Sequence, residues 1–274
     1  MKALLKRLSR LTATSDWCWI FISPLLQRLN ALHDLRRYIK SGEESQRARL
    51  EQLLGPPVVQ GGPFKGMKYP GYRSYGSSIF PKVLGSYERE LHPVIEKMFE
   101  RGYKQIIDVG CAEGYYAIGF ALRLPTAKVY AYDVNVKAQE FCRTMAVLNG
   151  VDDRMSVKAF CSPEDLRDFA FNEPALIISD CEGFEKHLFT IENLPNLKNA
   201  DLLVETHDCI DIEISDYLKK LFGATHVVTS IKSVSDIEKA RTYQAGPDLP
   251  LKDRKCLFGE ERSEVMEWLI MERR

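Results

Sequence analysis

From residue 104 onward, short apolar runs alternate with longer stretches of mixed polarity. "KQIIDVG", "KVYAYD", "MSVKAF", "ALIISD", "ADLLVET" and "THVVTSI" read as six strands. Between them, helical spacing of apolar residues predicts helices over Tyr115–Leu124, residues 136–150, Phe184–Leu194 and Asp211–Phe222, with a short one near Pro163–Phe169. The closing "VMEWLIM" mixes Trp, Ile and Val and reads as a last strand. Strand–helix alternation at this pace predicts a parallel sheet with helices on both faces. A run such as "ALII" suits a strand covered on both sides.

Upstream the pattern changes. Residues 1–55 read as two or three helices, and "EESQRARLEQLLG" ends in a Gly55-Pro56-Pro57 stop. Residues 55–86, rich in Gly, Pro, Tyr and Ser, read as a connector of loops and short strands. "YERELHPVIEKMFERG" follows as a helix closed by Gly102. The expected organisation is a helical extension over residues 1–60 and a main domain over 61–274. Leu4, Leu5, Leu8 and Leu11 share one helical face with cations between them, the pattern of a helix lying on a membrane surface or packed on its own domain or a second subunit. Peripheral membrane contact through residues 1–30 and a homodimer are therefore both open. The uncharged stretch Trp17–Gln27 is far short of the roughly 20 residues a spanning helix needs.

Charge changes the picture only locally. Lys+Arg and Asp+Glu both number 38, which gives no electrostatic push toward nucleic acid. Residues 1–40, however, hold eight basic residues against Asp16 and Asp34. The seven cysteines are odd in number and none has C-x-x-C spacing, which argues for a reducing compartment, the cytoplasm, over a disulfide or zinc framework.

The chemistry begins in "IIDVGCAEGYYAIGF", Ile106–Phe120. A strand ends at Asp108, two glycines, Gly110 and Gly114, follow four residues apart, and a helix starts. In open parallel sheets ligands bind beyond the carboxyl ends of the strands, where strand order reverses. Dinucleotides call for G-x-G-x-x-G, which this segment lacks. A nucleoside with a short zwitterionic tail needs instead one acid near the turn for its ammonium and one for its ribose. Asp108 suits the first and Asp133, closing the next strand, suits the second; S-adenosylmethionine fits this set.

"DVGCAEGYYAIGFA", "YAYDVN", "SDCEGFEKHLF" and "LLVETH" together resemble the class I S-adenosylmethionine-dependent methyltransferases, and within them the FkbM-type group. The resemblance covers about residues 83–230. It implies a Rossmann-like α/β fold with a mostly parallel seven-stranded sheet, and O-methylation of a hydroxyl on a saccharide-like or other small metabolite. The turn departs from the group at Cys111-Ala112, where many members carry a small residue and then Asn. Cofactor contacts are expected from Asp108, Gly110, Cys111, Gly114, Asp133, Val134, Cys161, Ser162 and Asp180. Phe160 would pack on the base, and Tyr87 and Glu88 would cap the cofactor.

Methyl transfer to oxygen needs an in-line methyl group and a group that removes the hydroxyl proton. Asp180 and Glu182, after the fourth strand, and His207, in "VETHDC" after the fifth, are the candidate catalytic residues, with His207 as general base. Glu185 reads as an acid favouring a helix N-terminus. Asp180, Glu205 and His207 would also suit Mg²⁺, although the preferred reading has no metal. The alternative function is a catalytically inactive methyltransferase-fold module that binds a partner through its basic N-terminal helices. A nucleic-acid methyltransferase would usually carry an N-P-P-Y-like motif where this chain has "DCEGF".

Overall fold

The computed structural model describes residues 42–244, 248–262 and 264–274, together with positions 28, 29, 32 and 36. The helix expected around Leu4, Leu5, Leu8 and Leu11, its membrane contact and the Trp17–Gln27 stretch lie outside the described residues. The chain divides into two compact units after Leu53. Helix α1 spans Glu43–Leu54, and no helix among the described residues is long and apolar enough to cross a membrane.

The second unit carries a seven-stranded sheet in the order β3-β2-β1-β4-β5-β7-β6. The strands are β1 (Gln105–Val109), β2 (Lys128–Tyr132), β3 (Met155–Lys158), β4 (Ala175–Ser179), β5 (Ala200–Thr206), β6 (His226–Lys232) and β7 (Glu267–Arg273). β1 to β5 pair in parallel; β7 runs antiparallel between β5 and β6. The order reverses at β1, which pairs with β2 on one side and β4 on the other, so a crevice opens beyond the carboxyl ends of those strands.

In chain order the helices are α2 (Ile79–Leu84), α3 (His92–Glu100), α4 (Tyr115–Arg123), α5 (Val136–Asn149), α6 (Pro163–Asp168), α7 (Glu185–Leu188), α8 (Leu194–Leu197), α9 (Ile214–Phe222), α10 (Asp236–Thr242) and α11 (Leu251–Phe258). The strand expectations hold. The helix expected over Phe184–Leu194 is instead two one-turn pieces, α7 and α8: Pro195 sits at the start of α8, and Asn193 turns its side chain onto Thr190 N and Leu188 O. The connector contains α2, closed by Gly85 at φ 79°.

Side chains alternate across the strands. Ile107, Val109, Ile177, Leu202 and Val204 pack on one face with Leu188, Phe189, Leu218 and Phe222. On the other face Asp108 meets α4, where Phe120 joins Phe64 and Phe99 in edge-to-face contacts. Burying both faces explains why β1, β4 and β5 read as nearly continuous apolar runs.

Candidate active site

The crevice at the sheet's reversal point has a volume of about 450 Å³, within the range of small-molecule sites. On the β1–β2 side the turn is tied down by main-chain hydrogen bonds. Gly110 N and Cys111 N both donate to Tyr132 O, at 2.8 and 2.9 Å, which folds the turn across the end of β2. Gly110 has φ 83°, and a Cβ there would stand 1.7 Å from Asp180 O. The close approach of the chain after β4 alone requires glycine here, and Gly110 also lines the crevice. Gly114, expected to contact the cofactor, lies outside the lining. Its φ is 91°, and a Cβ would meet Cys142 Sγ at 2.8 Å and Ile118 Cδ1 at 2.9 Å, so it is glycine for the packing of α4 and α5.

Asp133 closes β2. Its Oδ2 accepts Ala112 N at 2.8 Å and its Oδ1 accepts Asn135 N at 2.7 Å. Each oxygen retains lone-pair capacity, so the carboxylate is held rigid and can still accept two ligand hydroxyls. Asp108 is buried and accepts Ala117 N at 2.9 Å; burial pushes its carboxyl up to about 7. Val134, Phe160 and Cys161 line the far end. Ser162 does not: its hydroxyl accepts Asp165 N and completes a capping box for α6.

Beyond β4 and β5 the wall is built from charged side chains. Asp180 and Glu182 line the crevice. His207 is buried and reaches the crevice through Asp180 and Glu182: its Nε2 lies 3.4 Å from Asp180 Oδ1 and 3.5 Å from Glu182 Oε2. Asp180 Oδ1 is enclosed and has no hydrogen-bond partner. Glu185, read from the sequence as a helix-end charge, is fully buried and binds His207 Nδ1 at 2.6 Å. Burial works against the charge on His207, but the Glu185 hydrogen bond and the nearby carboxylates outweigh it and push the imidazole up to about 9. Asp180 is raised to about 6, chiefly by burial, with His207 pulling it back down. The carboxylates around it favour the protonated imidazole, which makes Asp180, on the crevice wall, the better-placed proton acceptor.

A second cation was not foreseen. Arg262 bonds Glu205 through Nη1, Glu88 through Nη2 and Glu260 through Nε, the last at 3.1 Å. Glu88, expected to cap the cofactor, turns away from the crevice to Arg262 and to the Tyr116 hydroxyl, while its neighbour Tyr87 lines the wall. Burial raises Glu88 and Glu205 to about 8 despite Arg262. No local pattern in "GEERSE" marks this arginine; only the fold brings it to Glu88. Three non-glycine residues with positive φ border the site, Glu88 (47°), Ala112 (47°) and Glu182 (53°), the kind of local strain that accumulates where side chains must be aimed.

Asp180, Glu205 and His207 offer ligand atoms within 4.8 Å of one another, matching the metal set read from the sequence. Glu205 is already neutralised by Arg262, and His207 Nδ1 is committed to Glu185. With Glu205 Oε1 and His207 Nδ1 already bonded, the set fits a divalent ion poorly.

Residues 92–176 match the family model described as "Methyltransferase small domain". Two curated relatives, both named release factor glutamine methyltransferase, come from Flavobacterium psychrophilum (35% identical over 109 residues, 39% of this chain and 37% of that one) and Chlorobaculum tepidum (32% identical over 139 residues, 47% of this chain and 46% of that one). The chain thus spans less than half the length of either. Among solved structures, the O-methyltransferase TomG of Streptomyces achromogenes, crystallised with S-adenosylmethionine, aligns at a TM-score of 0.45 and 14% identity over 65% of this chain and 77% of that one. Sheet order and family model agree on a Rossmann-like, methyltransferase-type fold for the second unit. The matched model ends at residue 176, four positions before Asp180.

Proposed function

We propose that this protein transfers a methyl group from S-adenosylmethionine to a hydroxyl of a small, polyhydroxylated acceptor. The observation that carries the reading is Asp180, a carboxylate on the crevice wall whose enclosed Oδ1 faces a buried His207–Glu185 pair. The cofactor supplies an activated methyl group on a sulfonium that leaves as a neutral thioether. The chain supplies the rest. Asp133 grips the ribose hydroxyls, and Asp108, with the start of α4, receives the amino-acid tail. Asp180 accepts the proton of the acceptor hydroxyl, and His207, held by Glu185, keeps Asp180 ionised and aimed. Arg262 neutralises Glu205, so the site works without a divalent ion. The acidic segment Asp180-Cys181-Glu182-Gly183-Phe184, which resembles the FkbM-type group, supports a saccharide-like acceptor with several donor hydroxyls.

A second reading, transfer to a glutamine side-chain amide, is favoured by the names of the two curated relatives. The test is methyl transfer from labelled S-adenosylmethionine to a panel of mono- and oligosaccharides and, separately, to glutamine-containing peptides. The proposal expects a labelled methyl ether on a saccharide-like acceptor. Label on the peptide amide alone would replace it with the second reading. Cofactor binding with no transfer to either class would favour the inactive module.

A further inference from the structure

Five charged side chains line the crevice among the described residues. Asp108, Asp133, Asp180 and Glu182 are carboxylates, and the fifth is Lys82. It comes from α2, in the connector ahead of the matched domain. Its side chain is 3% exposed, and Nζ lies 2.5 Å from Glu113 Oε1 and 2.9 Å from Ser74 Oγ. An ammonium has three N–H donors, so one is left over. The rings of Tyr87 and Tyr115, which also line the crevice, have centroids 4.9 and 5.5 Å from Nζ. This places the ammonium beside Tyr87 and Tyr115, at the start of α4.

Stability alone gives little reason to keep such a pair. A buried ion pair replaced by well-packed apolar residues is often neutral or stabilising. Glu113 does more than neutralise the lysine: it also accepts Ser74 Oγ at 2.7 Å and Tyr75 N at 3.1 Å, fixing the crevice-lining segment Tyr75–Ser77 against the glycine turn. Lys82 is thus held on the wall of a cavity whose other charged groups are all acidic.

The amino-acid tail of S-adenosylmethionine carries one ammonium and one carboxylate. Acids at the β-strand ends suit the ammonium and repel the carboxylate. We infer that Lys82, positioned by Glu113, binds the carboxylate of the cofactor's tail; the inference rests on the S-adenosylmethionine reading. A charge-assisted hydrogen bond of this kind is worth roughly tenfold or more in affinity.

The test compares S-adenosylmethionine with its decarboxylated analogue by calorimetry, on the full chain and on the double variant K82M/E113Q, which removes both charges and leaves no buried carboxylate alone. The wild-type protein should bind S-adenosylmethionine about tenfold tighter than the analogue. In the double variant that preference should vanish while affinity for the analogue holds. Equal wild-type affinities would overturn the inference whether or not the variant folds. A preference that survives in the variant, or equal loss of both ligands, would reduce Lys82 to a structural residue. If neither ligand bound the wild-type protein, the cofactor reading itself would fail.

Discussion

The two sides of the crevice hold their shape by different means. On the β1–β2 side, the turn is fixed by backbone hydrogen bonds from Gly110, Cys111 and Ala112, and Asp133 is the main side chain involved. On the β4–β5 side, position is set by buried charges: Glu185 on His207, and Arg262 across Glu88, Glu205 and Glu260. A main-chain wall recognises a constant ligand and tolerates changes in neighbouring side chains. A wall of coupled charges can be retuned by single substitutions, which under the proposed function suits the side that meets the acceptor and takes up its proton. The extent of the family match follows the same division, ending before Asp180.

The largest effect expected is on stability. Arg262→Ala would strand Glu88 and Glu205 as buried acids, and breaking one partner of a buried pair costs about 3–5 kcal/mol. In a body of this size each kcal/mol lowers Tm by about 2–4 °C, so calorimetric melting should fall by roughly 10 °C. A melting point within a degree or two of the parent would mean that the charged side is not held together by Arg262. Next comes chemistry. Asp180→Asn should lower kcat by about a hundredfold or more, the usual contribution of a positioned base. Turnover unchanged in that variant would remove Asp180 as the proton acceptor.

Smaller, but sharper, is the pH profile. Asp180 must be ionised to accept a proton, and its pKa is about 6. Activity should therefore be lost as pH falls through about 6 and be level from there toward 9, where His207 begins to lose its proton. A rise centred near 9 would restore histidine as the base. Chelation with EDTA should leave turnover unaltered; loss that Mg²⁺ restores would show that Arg262 does not substitute for an ion.

Legibility in the sequence followed the same boundary. β1, the turn, α4 and Asp133 lie within 30 residues, and their order in the chain is their order in space. Strand periodicity and the Asp108–Gly110–Asp133 spacing were enough to locate the crevice. Gly114 and Ser162 were misread because a glycine or a serine beside a site looks the same whether it serves the ligand or the packing of a helix. The acceptor side joins residues 57 and 174 positions apart through Arg262, and no local pattern marks such a contact. Glu185 does sit in the first turn of α7, where its Oε1 accepts Gly183 N; its second contact, with buried His207, depends on where β5 ends, which no local pattern marks. Lys82 lay in a connector whose Gly- and Pro-rich composition concealed a helix.

The division of labour itself is tested by titrating S-adenosylmethionine into two variants side by side. Asp133→Ala should weaken cofactor binding about tenfold or more, through the lost ribose contacts. Asp180→Asn should bind it as the parent does. Equal losses in both variants, or none in Asp133→Ala, would contradict the account.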